Sequence, residues 1–218
     1  MSIRSRNFAA FLLAVSVGLG PARFALAGPS LGFVEDWPGV GTGSWFGEGT
    51  SVLVNPGNSG ASGVGDGYLS VSLATPGVLG ARSLGAEYAG DWLVAGVQLV
   101  RVWLRDTGAF DDLEIHFGIG NAQNLWLYTP GLNPPTDHWQ QFAIDLTSPQ
   151  GFVQIAGTGT FSEAMRAVDR VFLRHDRAPF TATPDAVRGE FGIDRLTLTD
   201  AVTPARSTTW GRVKSLYR

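Results

Sequence analysis

The sequence predicts an all-β protein, an antiparallel β-sandwich with one short helix. Segments in which apolar and polar residues alternate recur along the chain, and turn residues separate them at intervals of about 8–12 residues. The pattern lacks the long βα crossovers that a parallel sheet needs. Charged residues make up only 16% of the 218 residues, whereas glycine (29) and phenylalanine (13) are frequent, a composition that favours short strands joined by tight turns.

Ten segments between residues 32 and 199 have the pattern expected of strands. They are residues 32–37, 43–49, 50–56, 68–74, 96–106, 113–120, 124–130, 139–146, 170–176 and 189–199. The longest of them, residues 96–106, places Arg101, Trp103 and Arg105 on one side and three aliphatic residues on the other. The same alternation predicts three core residues, Leu113, Ile115 and Phe117.

One segment is predicted to be helical and one to be a long loop. Thr160 stands three residues before Glu163, which is the spacing of a capping box, and the next residues supply an apolar side. The sequence therefore predicts a short helix that begins near residue 160. Residues 55–67 contain five glycines and are predicted to form a turn or loop.

The first 27 residues have the pattern of an export signal and are predicted not to belong to the folded domain. Arg4 and Arg6 precede an apolar run at residues 8–19, and residues 25–27 (Ala-Leu-Ala) offer a small-residue cleavage site. The apolar run is shorter than the roughly 20 residues that a membrane-spanning helix needs. The sequence thus predicts an exported protein, secreted, periplasmic or at the cell surface, with a mature chain that starts near Gly28 and has no transmembrane span.

Charge and cysteine content exclude several classes of function. Removing residues 1–27 removes three arginines and no acid, so residues 28–218 carry a net charge of −6. An acidic chain argues against a nucleic-acid partner, which would need a basic surface. The chain has no cysteine, so it has no disulfide, no cysteine nucleophile and no thiolate metal site. An exported domain of this kind is held together by its core or by a bound metal.

The order of the segments resembles a family of galactose-binding-like jelly-roll modules found in exported bacterial proteins, which includes laminin-B-like and carbohydrate-binding-module-like domains. The matching stretches are "FVEDW" followed by "GSW", "GDGYLSVSL", "LWLY", "HWQQFAIDL", "VDRVFLRHD" and "GEFGIDRLTL". The ending "GIDRLTL" is similar to the "G.IDNV.L" last strand of those modules, with Arg195 where asparagine is common. The resemblance covers residues 31–200 and implies a jelly-roll domain, residues 28–200 of the chain, that binds a glycan or another extracellular component without catalysis.

The resemblance also implies a structural Ca²⁺ that joins the first strand to the last. The matching residues are Glu35 or Asp36 and Asp194, with Asp66 as a further ligand. Ca²⁺ takes six to eight oxygen ligands, and a bound cation would stabilise a sandwich without disulfides. Glu35 and Asp36 face opposite sides of their strand, so only one of them can face the cation. The alternative is an aspartate that accepts hydrogen bonds from turn amides and a solvated glutamate.

Several aromatic and charged side chains are candidates for contact with a glycan. Sugar rings stack their C–H faces on aromatic rings, and their hydroxyls pair with charged or amide side chains. If the central strands expose one common face, that face is predicted to bind the ligand. The predicted ligand-binding residues are Arg101, Trp103, Arg105, Glu114, His116, Trp126 and Tyr128. The alternative is that the tryptophans belong to the core, as large aromatic residues usually do.

The stretch 111–117, "DDLEIHF", supplies the one candidate catalytic pair. On a strand, Asp112 and Glu114 would lie about 7 Å apart, within the range of paired carboxylates in glycosidases. The stretch is similar to the alternating carboxylates of jelly-roll glucanases, except that His116 stands where those enzymes have a third acid. Alternating polar residues are also what any half-exposed strand shows. The sequence favours a non-catalytic module and leaves a glycan-cleaving hydrolase or lyase as the alternative.

Residues 201–218 form a basic tail after the last predicted strand. The tail holds no acid and four basic residues, Arg206, Arg212, Lys214 and Arg218. Its apolar residues fall at helical spacing, and they are Trp210, Val213, Leu216 and Tyr217. The tail is similar to the short W-G-x-[VI]-K-x-[LM]-Y-R endings of exported bacterial proteins, which implies docking to an envelope or sorting partner. The alternatives are a tail that packs on the acidic domain or a disordered tail.

The second possible function of the whole protein is that of an adhesive envelope domain without a small ligand.

Overall fold

The computed structural model describes residues 28–108 and 111–200, which form a sandwich of two six-stranded antiparallel sheets. The prediction of an antiparallel β-sandwich is confirmed. The predicted export signal, residues 1–27, and the predicted tail, residues 201–218, lie outside the described residues. Within residues 28–108 and 111–200, no helix has the length and apolar character to cross a membrane.

Twelve strands, two short helices and one 3₁₀ turn make up the described part of the chain. The strands are β1 (Val34–Glu35), β2 (Trp45–Gly47), β3 (Val52–Val54), β4 (Leu69–Gly77), β5 (Gly80–Ser83), β6 (Leu99–Asp106), β7 (Ile115–Asn121), β8 (Asn124–Tyr128), β9 (Gln140–Asp145), β10 (Phe152–Gly157), β11 (Arg170–His175) and β12 (Val187–Thr199). The helices are α1 (Trp92–Ala95) and α2 (Phe161–Arg166), and the 3₁₀ turn is Pro149–Gly151.

The strands divide between two sheets that are not contiguous in sequence. Sheet A has the order β3-β4-β12-β6-β9, with β1 also paired to β12, and sheet B has the order β10-β8-β7-β11-β5-β2. The longest strand is β12, with 13 residues, against eight in β6. The prediction that residues 96–106 form the longest strand is therefore wrong, because β12 pairs with three neighbours along its length.

The predicted helix is present, and its N-terminus has the expected cap. The Thr160 hydroxyl accepts a hydrogen bond from the Glu163 amide, and the Glu163 carboxylate accepts one from the Thr160 amide. Both bonds satisfy amide groups that have no partner within the helix. The sequence patterns missed α1, β5 and β10, which are short elements.

The core lies between the two sheets. Leu113, Ile115 and Phe117 are buried there, as predicted, and so are the three aliphatic residues of β6. Removing this apolar surface from water is the main stabilising contribution to the fold, at roughly 25 cal/mol per Å². Aromatic residues close one end of the sandwich, where Trp45 contacts both Trp37 and Tyr88 in edge-to-face geometry.

Sheet B is also partly covered on its outer face. Leu127, Ile155 and Phe172 form a second, smaller apolar cluster there, and Phe180 packs against it. Phe180 belongs to the connection between β11 and β12, so this connection, residues 176–186, folds back over the sheet. The covering leaves pockets at its margins, and one of them lies against β2 and β5.

Candidate functional site

The seven predicted ligand-binding residues do not share one surface. Arg101, Trp103 and Arg105 lie half-buried on the outer face of sheet A, opposite the buried aliphatic residues of β6. The other four belong to sheet B or to the turn before it, because β7 and β8 pair with each other and not with β6. The expectation of a common aromatic face is therefore wrong: the sequence shows alternation within a strand but not which sheet the strand joins.

Trp126 and Tyr128 face the interior of the sandwich. The Trp126 ring contacts Phe161 of α2, with centroids 5.6 Å apart, and its Nε1 donates to the Asn124 side chain at 2.6 Å. The Tyr128 ring lies 5.1 Å from Phe152. Both side chains pack against the main core, so they support the fold and offer no platform on the outer face.

His116 is on the outer face of sheet B but is fully buried. Its Nδ1 lies 2.8 Å from the Tyr128 carbonyl oxygen, its Nε2 lies 3.3 Å from a Glu114 carboxylate oxygen, and the Phe180 ring covers it at 4.8 Å. These contacts exclude solvent from the imidazole, and Nε2 makes no hydrogen bond with a described residue although Glu114 lies beside it. His116 therefore cannot reach a ligand in this conformation, and Glu114 serves as its partner.

Asp112 and Glu114 are not on a strand, because β7 begins only at Ile115. Asp112 is exposed, and it lines a polar cavity of about 660 Å³ with His175 and Arg177, whereas Glu114 does not line that cavity. Burial lowers the pKa of His175, whose Nδ1 accepts a hydrogen bond from the Glu114 amide at 3.1 Å. The strand therefore begins later than predicted, and the two carboxylates do not face one cleft.

On the outer face of sheet A, aromatic residues fasten the glycine-rich loop to the sheet. The Arg105 guanidinium lies between Tyr68 and Trp139, at 5.0 Å and 4.8 Å from the ring centroids. Trp139 donates from Nε1 to the carbonyl oxygen of Ser59 in the loop at 3.1 Å. A side chain at Gly192 would meet the Trp139 ring at 2.7 Å, so glycine is needed for this close packing. These aromatic residues therefore have a structural role on the face of sheet A that also carries Trp103.

The predicted calcium ligands are only partly brought together. Asp66 and Asp194 both lie against Gly60, where a Cβ would meet one oxygen of each at 2.6 and 2.8 Å. Asp36 is close enough to Asp194 to repel its charge, whereas Glu35 faces the other way and contacts Tyr88 at 3.4 Å. Among residues 28–108 and 111–200, no three or more acidic or histidine side chains are arranged to hold a metal ion.

Asp194 is the most perturbed carboxyl group of this region. It is fully buried, and burial raises its pKa to about 7, with a further contribution from the negative charges of Asp66 and Asp36. The amides of Ala61 and Arg195 each donate to it at 2.7 Å and act in the opposite direction. Asp194 thus connects the glycine-rich loop to β12. Its charged form is stabilised by the two amides and destabilised by the charges of Asp66 and Asp36.

The site that the sequence patterns did not predict lies at the β2–β5 edge of sheet B. It is a pocket of about 210 Å³. Its lining residues come from the turn after β2, from β5, from β11 and from the covering connection, and they are Glu48, Gly49, Val78, Arg82, Arg174, Ala182, Thr183 and Pro184. The pocket was missed because β5, "GARS", is too short and too poor in apolar residues to be recognised as a strand.

Arg82 is a half-buried polar residue of this pocket. Its guanidinium carbon lies 4.7 Å from the centroid of the ring of Phe46, which pairs with it across β2 and β5. Its Nε is buried and has no hydrogen-bond partner in the described part of the chain. Phe46 itself is 37% exposed. An aromatic ring and an N–H donor without a partner therefore lie side by side.

Glu48 and Arg174 complete the polar lining. Burial raises the pKa of Glu48, and the positive charges of Arg174 and Arg82 act against that rise. Arg174 is already engaged: its guanidinium donates to Asp176 at 2.6 Å and to the carbonyl oxygens of Thr181 and Ala182 at 2.7 and 3.3 Å. Arg174 thus fixes the wall of the pocket, and Arg82 and Glu48 supply further polar groups to its lining.

No family model matches the sequence, and no curated protein matches it. Among solved structures, a family 11 carbohydrate-binding module from Clostridium thermocellum, in complex with a β-1,3-1,4-mixed-linked tetrasaccharide, matches 79% of this chain and 98% of its own, with a TM-score of 0.51 and 17% identity. The solution structure of CtCBM11 gives 0.50 and 19% over 79% of this chain and 97% of that one. An exo-β-agarase structure gives 0.57 and 10% over 79% of this chain and 25% of that one. These matches show that the chain has the β-sandwich fold of carbohydrate-binding modules.

Proposed function

We propose that this protein is a non-catalytic glycan-binding module that holds a sugar unit in the pocket between β2, β5 and the covering connection. The observation that carries the proposal is that Arg82 and Glu48 line one pocket and do not form an ion pair with each other. Phe46 adds an exposed aromatic surface beside Arg82. Aromatic surface next to convergent polar side chains is the usual composition of a sugar site.

The charges of the pocket favour a neutral ligand. Arg82 offers only hydrogen-bond donors, whereas an ionised Glu48 offers only acceptors. An anion would pair with Arg82 but be repelled by Glu48. A cation would pair with Glu48 but be repelled by Arg82. Neighbouring sugar hydroxyls donate and accept at once, so a neutral sugar can satisfy both groups.

The size of the pocket favours one unit of a longer glycan. At about 210 Å³ it is smaller than the roughly 300–1,000 Å³ typical of sites for drug-sized ligands. The fold supports the same conclusion, because the family 11 module of like fold binds a mixed-linked tetrasaccharide. We therefore assign to the chain a neutral oligo- or polysaccharide as ligand. The signal-like residues 1–27 support binding outside the cytoplasm, after export.

Affinity electrophoresis tests the proposal. The chain from residue 28 is run through gels that contain mixed-linkage β-glucan, agarose or, as an acidic comparison, polygalacturonate. We expect retardation by a neutral polymer and about tenfold weaker retention for Arg82→Met, since a hydrogen bond to a charged group contributes roughly 1.5–3 kcal/mol. Arg166→Met is the matched control, because Arg166 is 59% exposed on α2 and lies outside the pocket. Retention by polygalacturonate alone, or equal retention of Arg82→Met and the parent chain, would contradict the proposal.

We also propose the structural Ca²⁺ at the place where Asp66 and Asp194 approach each other, with Asp36, which directly follows β1, rather than Glu35 as the third ligand. Three facts support it: the two carboxylates share the space beside Gly60, their charges repel, and the chain has no disulfide. A cation there would neutralise the repulsion and connect the glycine-rich loop to the last strand.

A further inference from the structure

The outer surface around α1 is apolar and carries no described segment on it. In α1, Val94 is 81% exposed and Leu93 is 40% exposed, and Leu31 and Leu84 nearby are each about half exposed, at 49% and 50%. Monomeric proteins seldom leave large apolar side chains grouped on the surface unless something binds there. This set of residues, Leu31, Leu84, Leu93 and Val94, is called the α1 surface below.

Two cavities lie beside the α1 surface. One of about 730 Å³ is lined by Leu84, Val94, Pro29 and small residues of the adjoining turn. The other, of about 320 Å³, is lined by Leu93 together with Leu146, Phe161 and other residues of α2 and the turn after β9. Aromatic and aliphatic side chains of a bound segment could therefore enter on either side of the helix.

The last described residues bring the chain directly to this surface. The Gln98 amide donates to the Thr199 carbonyl oxygen at 3.0 Å, and the Leu146 amide donates to the Gln98 carbonyl oxygen at 2.9 Å. Leu146 is itself a wall of the smaller cavity. Residue 200, where the described chain ends, is therefore next to the α1 surface, and residues 201–218 continue from that point.

The length and composition of residues 201–218 fit this surface. Nine residues separate Asp200 from Trp210, and at about 3.3 Å per residue they could reach either cavity. The segment holds apolar residues at helical spacing, which are Trp210, Val213, Leu216 and Tyr217.

Charge also favours contact between the segment and the domain. Residues 28–200 contain 19 acidic and 9 basic residues, whereas residues 201–218 contain four basic residues and no acid. Two of the acids border the α1 surface: Asp91 caps α1 at its N-terminus, and Asp145 is exposed at the end of β9 opposite Leu99. A basic, apolar segment would thus meet an apolar surface with an acidic border.

We propose that the α1 surface is the docking site of this chain's own C-terminal segment, residues 210–217. Trp210 and Leu216 enter the cavities beside Val94 and Leu93, and the basic residues between them face the acidic border. This contact is intramolecular, and none of the residues of the α1 surface lines the sugar pocket on sheet B.

Paramagnetic broadening in nuclear magnetic resonance spectra tests the proposal on the chain from residue 28 to residue 218. The protein has no cysteine, so Ser215→Cys provides a single site for a nitroxide label. We expect the label to broaden the amide signals of Leu84, Leu93 and Val94 and to leave those of Val52, on β3, sharp.

Two variants and a mixing experiment decide the occupant. Val94→Glu should abolish the broadening without unfolding the domain, because Val94 is exposed, and Val64→Glu is the matched control because Val64 is 97% exposed on the glycine-rich loop. Broadening that is absent from α1, or that persists in Val94→Glu, overturns the proposal. Labelled and isotope-enriched chains are also mixed as separate molecules: broadening in that mixture would show that a second copy occupies the surface and would equally overturn it.

Discussion

The guanidinium carbon of Arg82 on β5 lies over the ring of Phe46 on β2, 4.7 Å from its centroid. The contact helps to hold the arginine in place, and the buried Nε has no hydrogen-bond partner within the described part of the chain. A preordered donor group beside an exposed ring loses little side-chain entropy when a ligand binds. Arg105 also lies against aromatic rings and has a buried Nε without a partner in the described part of the chain, but its rings fasten the glycine-rich loop, whereas Arg82 lines a pocket.

Replacing Phe46 should weaken glycan binding without harming the fold. Phe46→Ala removes both the stacking surface and the contact that orients Arg82, and cation–π contacts contribute about 0.5–2 kcal/mol. We expect about fivefold weaker binding of the retained polysaccharide in affinity electrophoresis and a nearly unchanged melting temperature. Val52→Ala, at a 56% exposed position on sheet A, is the control. Unchanged retention of Phe46→Ala would show that the Phe46 ring does not contribute to glycan binding.

The buried ion pair that fixes the pocket wall should be essential to stability. Arg174 and Asp176 are 4% and 2% exposed and lie 2.6 Å apart. Asp176→Asn leaves a buried, poorly compensated guanidinium and should lower the free energy of unfolding by about 3–5 kcal/mol in urea titrations. The exposed pair Arg170–Asp169 supplies the comparison, since Asp169→Asn should cost less than about 1 kcal/mol. Equal effects of the two substitutions would show that the buried pair is not important.

Asp194 should make the domain less stable as the pH rises, when no cation is present. Its pKa in the folded protein is about 7 against an ordinary value of 3.8, so between these values the folded state holds a proton that the unfolded state has lost. In EDTA the free energy of unfolding should therefore decrease between pH 4 and pH 7 and stay constant above pH 7. The decrease should be at most about 4 kcal/mol, because each pKa unit corresponds to about 1.36 kcal/mol.

The matching measurement is urea unfolding at pH 5 and pH 8. Asp194→Asn should flatten the dependence, although one of the two amides that donate to Asp194 loses its acceptor. Asp137→Asn is the control, because Asp137 is exposed and its left-handed backbone, with φ of 61°, suits asparagine. A parent chain that is equally stable at both pH values would show that Asp194 ionises normally.

Calcium should reverse the loss of stability at high pH. At pH 8, millimolar CaCl₂ should raise the melting temperature by several degrees, because a cation that binds only the folded state stabilises it. The increase should disappear in Asp194→Ala and in Asp66→Ala and should be smaller with Mg²⁺. A melting curve that is the same in EDTA and in CaCl₂ would exclude the cation site.

Trp126 should act as a core residue and not as a ligand platform. Trp126→Ala removes its contact with Phe161 and its hydrogen bond to Asn124, so we expect a loss of about 3 kcal/mol in the free energy of unfolding. Polysaccharide retention should stay the same when corrected for the folded fraction. Trp103→Ala is the comparison and should cost less, because Trp103 lies on the outer face of sheet A and, unlike Trp126, does not pack against the main core. A specific loss of retention in Trp126→Ala would contradict this assignment.

The sequence predicted most strands because their alternation is local. Residues 68–74 and 96–106 alternate cleanly and were placed with the correct buried side. Residues 111–114 alternate in sequence but precede the strand, because their backbone groups bond to other segments; the Asp111 amide, for example, donates to the Arg188 carbonyl oxygen. The sequence patterns do not predict β5 and β10, because these segments become strands through their pairing and not through their composition. β5 pairs with β11, and β10 pairs with β8.

The candidate site could be predicted far less well than the fold. The amino-acid sequence was sufficient to predict an antiparallel sandwich, its inward residues and its capped helix, since alternation and capping act between residues close in the chain. It required the three-dimensional structure to show that β6 and β8 belong to different sheets, that Trp126 faces inward, and that Arg82 meets Glu48 at one pocket and Phe46 beside it. Such contacts depend on which strands pair across the sheet, and residues far apart in sequence carry no local signal of that pairing.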